Sequence, residues 1–324
     1  HAIIPVAGVG SRLRPHTYTL PKVLLNVAGK PILGHILDKI VADGFTEATV
    51  VIGDMGDKVR EYVDAHYINK LQIEYVEQHD RKGLAHSIYI AKETFKDEPI
   101  LIILGDTIYD VDLSQILKGE YSSLGVKKVD DPRRFGVVEM NGKFISRLVE
   151  KPDVPLSNLA IVGLYFIKHP RLLVQSLDKL MKDEIKTKGE YQLTDALELM
   201  VQAGEKMTAF DVDGWYDCGK PETLLSTNKY LLRRYGTSVN VEGNLIIPPV
   251  SISPDAKISN SVIGPYTTIA EGVRVEDSII RNSIVSEDAK IEKTLLDNSI
   301  IGSNASVEGR YKQINLGDSS EIDF

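Results

Sequence analysis

Gly8-Val9-Gly10-Ser11-Arg12-Leu13-Arg14-Pro15, followed by Pro21-Lys22, joins residue types that can handle phosphate. Two glycines let a backbone turn tightly and bring its N–H groups against oxyanions, and Arg12 and Lys22 add fixed positive charge. The chemistry to expect is the cradling of a triphosphate. The stretch is not a dinucleotide fingerprint, because Leu13 stands where G-x-G-x-x-G requires glycine, and no G-x-x-x-x-G-K-[ST] occurs in the chain. A glycine turn at a strand end is commonly just a turn; the dense basic and proline context gives this one its functional weight.

Such a loop needs a strand in front of it. Residues 2–7 read as a buried strand, and residues 49–52, 73–76 and 100–104 as further strands. Between them, Ile32, Leu33, Ile36, Leu37 and Ile40 make one helical face, and residues 58–67 and 84–95 carry helical periodicity. Alternation of this kind predicts an α/β fold with a Rossmann-like, mainly parallel sheet. In open sheets of that type ligands bind beyond the carboxyl ends of the strands, so the loops after Val6 and after Leu104 are expected to share one crevice. Asp106 then stands at a strand end. From about residue 119 to 217 the pattern is mixed, with strands expected at 123–128, 136–140 and 161–167 and helices at 171–182 and 194–202. Residues 221–235 look like a closing helix.

After Pro248-Pro249 the texture changes. Ile252 and Ile258, then Ile263, Ile269 and Val275, then Val285 and Ile291, then Ile301 and Val307 recur at sixes, interleaved with Ile279-Ile280, Leu295-Leu296 and Ile300-Ile301. A six-residue period predicts a parallel β-helix, in which each coil buries its aliphatics by stacking on the next. A β-sandwich with coincidental spacing fits the segment less well. The domains expected are a catalytic domain at 1–236, a linker at 237–250, the hexapeptide-repeat β-helix at 251–310 and a polar tail at 311–324, with 317–324 a frayed end.

The 324 residues are 43% hydrophobic and 26% charged, a globular composition with material for more than one core. The longest apolar runs are strand-sized, no secretion signal opens the chain, and the single Cys218 permits neither an internal disulfide nor a cysteine metal site. A cytoplasmic location is expected, with no membrane partner. A net charge of −8 argues against nucleic acid as a partner.

The loop resembles G-x-G-[ST]-R-L-x-P with a downstream P-K, the signature of the sugar-1-phosphate nucleotidyltransferases, also called nucleotide-sugar pyrophosphorylases. Further segments are similar in the same order: Gln78 with Gly83-Leu84-Ala85, Leu104-Gly105-Asp106, Phe135-Gly136-Val137, Glu150-Lys151-Pro152, Gly163-Leu164-Tyr165, Gly189-Glu190 and Trp215-Tyr216-Asp217. The likeness runs from residue 2 to about 225 and is nearest to the glucose-1-phosphate thymidylyltransferases that carry a left-handed C-terminal β-helix. It implies that the phosphate of a sugar 1-phosphate attacks the α-phosphorus of a nucleoside triphosphate in line and expels pyrophosphate. Arg12, Lys22 and Asp106 would be catalytic. Ala7, Gly8, Gly10, Ser11, Gln78 and Gly83 would hold the nucleotide, and Gly136, Glu150, Lys151, Gly163 and Glu190 the sugar phosphate. Asp106 and Asp217 would ligate Mg2+. Asp211 and Asp213 compete with Asp217 as loop acids, and the W-x-D register favours Asp217. Tyr165 fits a core position as well as a site.

Base and sugar stay open at this level. His86 stands where thymidylyltransferases commonly carry glutamine, and a solvent-facing histidine is as good a reading as a base contact. Pro5-Val6-Ala7-Gly8 is similar to the UTP-using branch and 78–85 to the thymidine branch, so dTTP or UTP with glucose 1-phosphate is expected. Mannose-1-phosphate guanylyltransferase is the alternative. A sensor of nucleotide sugars without turnover would lack Arg12, Lys22 or Asp106, and all three are present. A glycosyltransferase using Asp110-Val111-Asp112 leaves the glycine-arginine loop unexplained, and the broken G-x-G-x-x-G disfavours an oxidoreductase. All seven histidines precede residue 170, so the β-helix has no histidine base for acetyl transfer. The β-helix is expected to be an oligomerisation or regulatory module, with a symmetric homo-oligomer the expected association.

Overall fold

The computed structural model describes residues 1–310. It divides into two compact units, one of residues 1–25 and 30–224, the other of residues 26–29 and those from 225 onward. The tail expected at 311–324 lies outside the described residues.

In the first unit the strand Ala2–Pro5 sits between Glu47–Ile52 and Ile100–Ile103 and runs parallel to both, with Gln72–Glu77 continuing the sheet beyond Glu47–Ile52. Ile100 to Ile103 are fully buried, as apolar runs covered on both faces must be. Helices Ile32–Ala42, Gly56–Tyr67 and Leu84–Ile90 form the crossovers, and a 3-10 turn at Lys92–Thr94 replaces the end of the longer helix expected over 84–95. Leu159–Ile167 runs antiparallel to Ile100–Ile103 and adds Gly136–Asn141 and Phe144–Glu150 on that side; it also pairs with Ser122–Lys128. The register slips between Ile161 and Tyr165, and Gly163 lies in the slip with φ +86°. A glycine is required there, because a Cβ would lie 2.9 Å from the Leu104 side chain. The sheet is therefore mixed and mainly parallel beside the phosphate loop.

The second unit takes in most of the helix Pro221–Tyr235 and the parallel left-handed β-helix. Its strands form three four-stranded parallel sheets, and Ile263, Ile269, Val275, Ile280, Val285 and Ile291 fill its core. Asn260, Asp277, Asn282 and Asn298 take φ near +50° at corners of the coils, a conformation that short polar side chains tolerate best. Among the described residues no helix is long and apolar enough to cross a membrane.

Candidate active site

The first strand ends at Pro5, and Val6 N–H still donates to Val51 O at 2.8 Å before the chain leaves the sheet. Gly10 turns it with φ +66° and opens the 3-10 turn Ser11–Leu13. Gly10 is needed twice over, for its φ and because a Cβ would sit 2.9 Å from Lys22 Cβ. Thr17 Oγ1 donates to Gly10 O at 2.9 Å and ties the turn down. Leu13, the residue that breaks the dinucleotide pattern, is fully buried and anchors the loop. Among the described residues nothing lies within 4 Å of where a Gly8 Cβ would be, so this stretch of backbone is open on that side.

The loop after Ile100–Ile103 meets the first loop closely. Gly105 N–H donates to Pro5 O at 3.2 Å, and a Cβ on Gly105 would be 2.5 Å from Val6 Cγ1. The next residue, Asp106, accepts from Lys22 Nζ at 2.5 Å through Oδ2, and the lysine side chain is only 9% exposed. A short antiparallel pair, Thr107–Asp110 with Gly214–Asp217, sets Asp217 opposite Thr107, and Cys218 N–H donates to Asp106 O at 3.0 Å. Burial pushes the Asp217 carboxyl above its ordinary value, and the Asp106 charge adds to this; Lys22, Arg12 and the Gly219 N–H oppose it. Two cations and two carboxylates thus converge at the strand ends, and the acids are the pair chosen from the sequence. Asp211 ends the strand Met207–Asp211, which pairs with Ser122–Lys128.

Two cavities open on this cluster. One, of about 380 Å³, is lined by Ala7, Gly8, Lys22, Gln78, Gly83 and Glu190. The other, of about 660 Å³, is lined by Arg12, Gly136, Glu150, Lys151, Gly163 and Asp217. Asp106 lines both. Glu190, expected with the sugar-phosphate residues, lies on the Gln78 side, and Gly10 and Ser11 shape the loop without lining either cavity. Tyr165 is buried yet lines the larger cavity, and burial raises its phenol.

In the smaller cavity Gln78 is held by its amide nitrogen, 3.4 Å from Gly83 O and 3.1 Å from His86 Nδ1. Gly83 O can only accept, so the nitrogen end faces it, and His86 Nδ1 must then accept as well. Burial lowers the His86 pKa, which favours that neutral ring. Gly83 has φ +113°, and a Cβ there would be 2.4 Å from Tyr191 O. In the larger cavity Glu150 Oε2 accepts from Thr194 Oγ1 at 2.7 Å, while Lys151 Nζ lies 3.2 Å from Glu150 Oε1. A Cβ on Gly136 would be 2.6 Å from Thr194 Oγ1 and 3.0 Å from Glu150 Oε2, so glycine keeps this wall open.

The nucleotidyl transferase family pattern matches residues 1–234, which contain every group just described. The chain belongs to the nucleotidyl transferase family. It is 36% identical over 250 residues to the bifunctional protein GlmU of Methanocaldococcus jannaschii, covering 76% of this chain but only 58% of that protein. It is 30% identical over 308 residues to the low-salt glycan biosynthesis nucleotidyltransferase Agl11 of Haloferax volcanii, covering 84% of this chain and 85% of that one. The glucose-1-phosphate thymidylyltransferase of Streptomyces griseus shares 28% over 313 residues, with 88% and 86% covered. Among solved structures, a UDP-glucose pyrophosphorylase complexed with UDP-glucose superposes with a TM-score of 0.63 at 27% identity, covering 72% of this chain and 98% of that one.

Several residues of this nucleotidyl transferase site were not legible as such. Thr194 stands at the start of the helix Leu193–Gln202 and reads from sequence as an ordinary early-helix threonine. Gly219 packs so closely that a Cβ would lie 2.8 Å from both Arg12 Nη2 and Asp217 Oδ1; its position two residues after the W-x-D aspartate was the available signal. Ser87, whose buried hydroxyl has no hydrogen-bond partner among the described residues, lines the smaller cavity, and Arg133, Arg134 and Lys188 line the larger.

Proposed function

We propose that this chain joins glucose 1-phosphate to dTTP or UTP in the cytoplasm, giving a nucleotide-sugar and pyrophosphate. The observation that carries the reading is Asp106, which lines both cavities while bonded to Lys22 and set beside Asp217. The triphosphate occupies the smaller cavity, its phosphates over the open backbone at Gly8, and the sugar phosphate the larger. A sugar-phosphate oxygen then bonds to the α-phosphorus as the bond to the bridging oxygen of the β-phosphate breaks, and that oxygen leaves with pyrophosphate. Lys22 balances charge building on the α-phosphate, and Arg12 stabilises the departing pyrophosphate. Lys151 holds the attacking phosphate, and Glu150, fixed by Thr194, accepts from sugar hydroxyls.

Asp106 and Asp217 would hold Mg2+, which when bound supplies positive charge to phosphate oxygens. The donor set fits: magnesium is commonly bound by one or two carboxylates with phosphates and waters completing its shell, and the raised Asp217 carboxyl marks a crowded negative pair that a cation relieves. Among the described residues no group of three or more His, Cys, Asp or Glu forms an all-protein cage, which magnesium does not require. The thymidylyltransferase and UDP-glucose pyrophosphorylase likenesses support dTTP or UTP as the nucleotide. We read the β-helix as the module through which copies of the chain associate.

The test crosses dTTP, UTP, GTP, CTP and ATP with glucose 1-phosphate and mannose 1-phosphate, following pyrophosphate release with magnesium. Release with glucose 1-phosphate and dTTP or UTP, lost in Arg12→Ala, is expected. A strong GTP and mannose 1-phosphate pair would replace the substrates proposed, and binding without release would make the chain a sensor.

A further inference from the structure

The side-chain amide of Gln78 is held from two sides of the smaller cavity. Gln78 N–H donates to Ile52 O at 2.8 Å, which carries the ladder one residue past the strand Gln72–Glu77 and ties the residue to the sheet. Gln78 is buried, and its Nε2 lies 3.4 Å from Gly83 O and 3.1 Å from His86 Nδ1. Those two acceptors are fixed in turn: Tyr191 N–H donates to Lys82 O at 2.8 Å, and Ala85 N–H donates to Tyr191 O at 3.0 Å. Both N–H groups of the amide are thereby committed within the protein. Oε1 accepts from nothing among the described residues, yet it is not shut away as the Ser87 hydroxyl is. It is therefore the atom that Gln78 offers to the cavity, with lone pairs and no proton.

Turning this amide over is costly while the histidine is neutral. Oε1 would then meet Gly83 O, lone pair against lone pair, and Nδ1 would have to carry the ring proton. The Asp80 backbone carbonyl attracts that proton, and with Nδ1 accepting it sits on Nε2. Lys82 opposes a charge on the ring and Asp80 favours one; the two pair with each other at 2.7 Å. Arg81, on the same loop, pairs with Asp54, His79 lies 3.6 Å from Glu77, and Glu190 Oε2 accepts from Gln192 Nε2 at 3.3 Å.

We propose that His86 sets which bases the cavity takes: by accepting from Gln78 Nε2 it leaves Oε1 alone to meet the nucleotide, so that a base with a ring N–H at its pairing edge is taken and one with a lone pair there is refused. Uracil and thymine carry that N–H at N3 and guanine at N1, whereas cytosine and adenine carry a lone pair. A site built to complete one hydrogen bond rejects the ligand that cannot make it, because a buried polar group is left unpaired. The inference rests on the reading of the smaller cavity as the nucleotide site and adds the residue behind its selectivity. His86 is a positioning residue, acting through Gln78. Once its ring is protonated both nitrogens donate, Nδ1–H draws Oε1 to itself, and the amide presents Nε2 to the base instead. The preference therefore weakens in acid.

Calorimetric binding of UTP and of CTP to the full chain, with pyrophosphate release from each in the presence of magnesium and glucose 1-phosphate, tests this between about pH 5 and about pH 8. Wild type is expected to favour UTP by at least about 10²-fold at the upper end, with the ratio falling toward the lower. His86→Leu, which offers Gln78 no acceptor, is expected to bring the ratio below about tenfold and to flatten its pH profile. His86→Gln supplies an oxygen that does not titrate, and is expected to restore the preference and hold it at every pH. A preference for UTP that survives in His86→Leu, a wild-type profile as flat as that of His86→Gln, or equal binding of UTP and CTP by wild type would overturn the role of His86 and leave the nucleotide reading of the cavity standing. Binding of neither nucleotide by wild type would overturn that reading and this inference together.

Discussion

Lys22 Nζ lies 2.5 Å from Asp106 Oδ2, across two loops that leave neighbouring parallel strands. The lysine is nearly buried, so its charge has little water to fall back on and is directed at the carboxylate. In the proposed reaction the same ammonium faces the α-phosphate. Lys22→Met keeps the stem that packs on Gly10 and removes the charge. Turnover should fall about 10²- to 10³-fold, the range for losing one positioned charge stabiliser in a transition state. Initial-rate measurements check it, and Lys22→Arg should not restore the rate, because a planar guanidinium fork replaces the compact point charge at Asp106.

Asp217 separates stability from activity. Its carboxyl is raised in the folded chain, so folding favours its protonated form; that contribution is complete below the unfolded value of about 3.9 and is lost as pH rises through the folded value. Asp217→Asn makes the neutral form permanent. Its melting temperature without ligands should exceed wild type at pH 7 and converge with it at low pH, while turnover drops by orders of magnitude. A calorimetric pH series shows the two curves crossing together or staying apart.

Gly136 sits where a methyl group would press on Thr194 Oγ1 and Glu150 Oε2. Gly136→Ala should raise KM for the sugar phosphate at least about tenfold, since sub-ångström misplacement of binding groups is amplified in such sites. KM for the nucleotide should stay near wild type, because Gly136 lines only the larger cavity.

How much of this was legible in the sequence follows from where each signal resides. The phosphate loop, Asp106 and Lys151 lie in short contiguous stretches, and the strand-end rule alone brings the first two together. The hexad pattern of Ile263, Ile269 and Val275 likewise shows the coils, because each repeat has to bury the same position. Thr194 and Gly219 were missed for the opposite reason: each acts on a residue distant in its own way, Thr194 on Glu150 across the fold and Gly219 through a close approach to Arg12. Spacing along a chain records neither. Glu190 lines the smaller cavity because the backbone at Tyr191 packs on Gly83, a loop contact without periodicity, while its carboxylate accepts from Gln192 Nε2 at 3.3 Å.

His86 gives the smaller cavity its own pH dependence. Its lowered pKa, caused first by burial and then by Lys82, keeps Nδ1 free to accept from Gln78 at pH 7. The stabilisation is present above the unfolded value of about 6.5 and is lost as pH falls through the folded value, when two donors face each other. Nucleotide KM should therefore rise in mildly acidic solution. His86→Gln offers an acceptor that does not titrate, and the difference between its KM profile and that of wild type isolates the histidine.

The most direct test of the central claim is magnesium-dependent pyrophosphate release from dTTP or UTP with glucose 1-phosphate, run in parallel on wild type and Asp106→Asn. Wild type is expected to sustain release, and the variant to lose at least about 10³-fold with its fold intact. Near-equal release by the two proteins would remove Asp106 from the reaction and contradict the account.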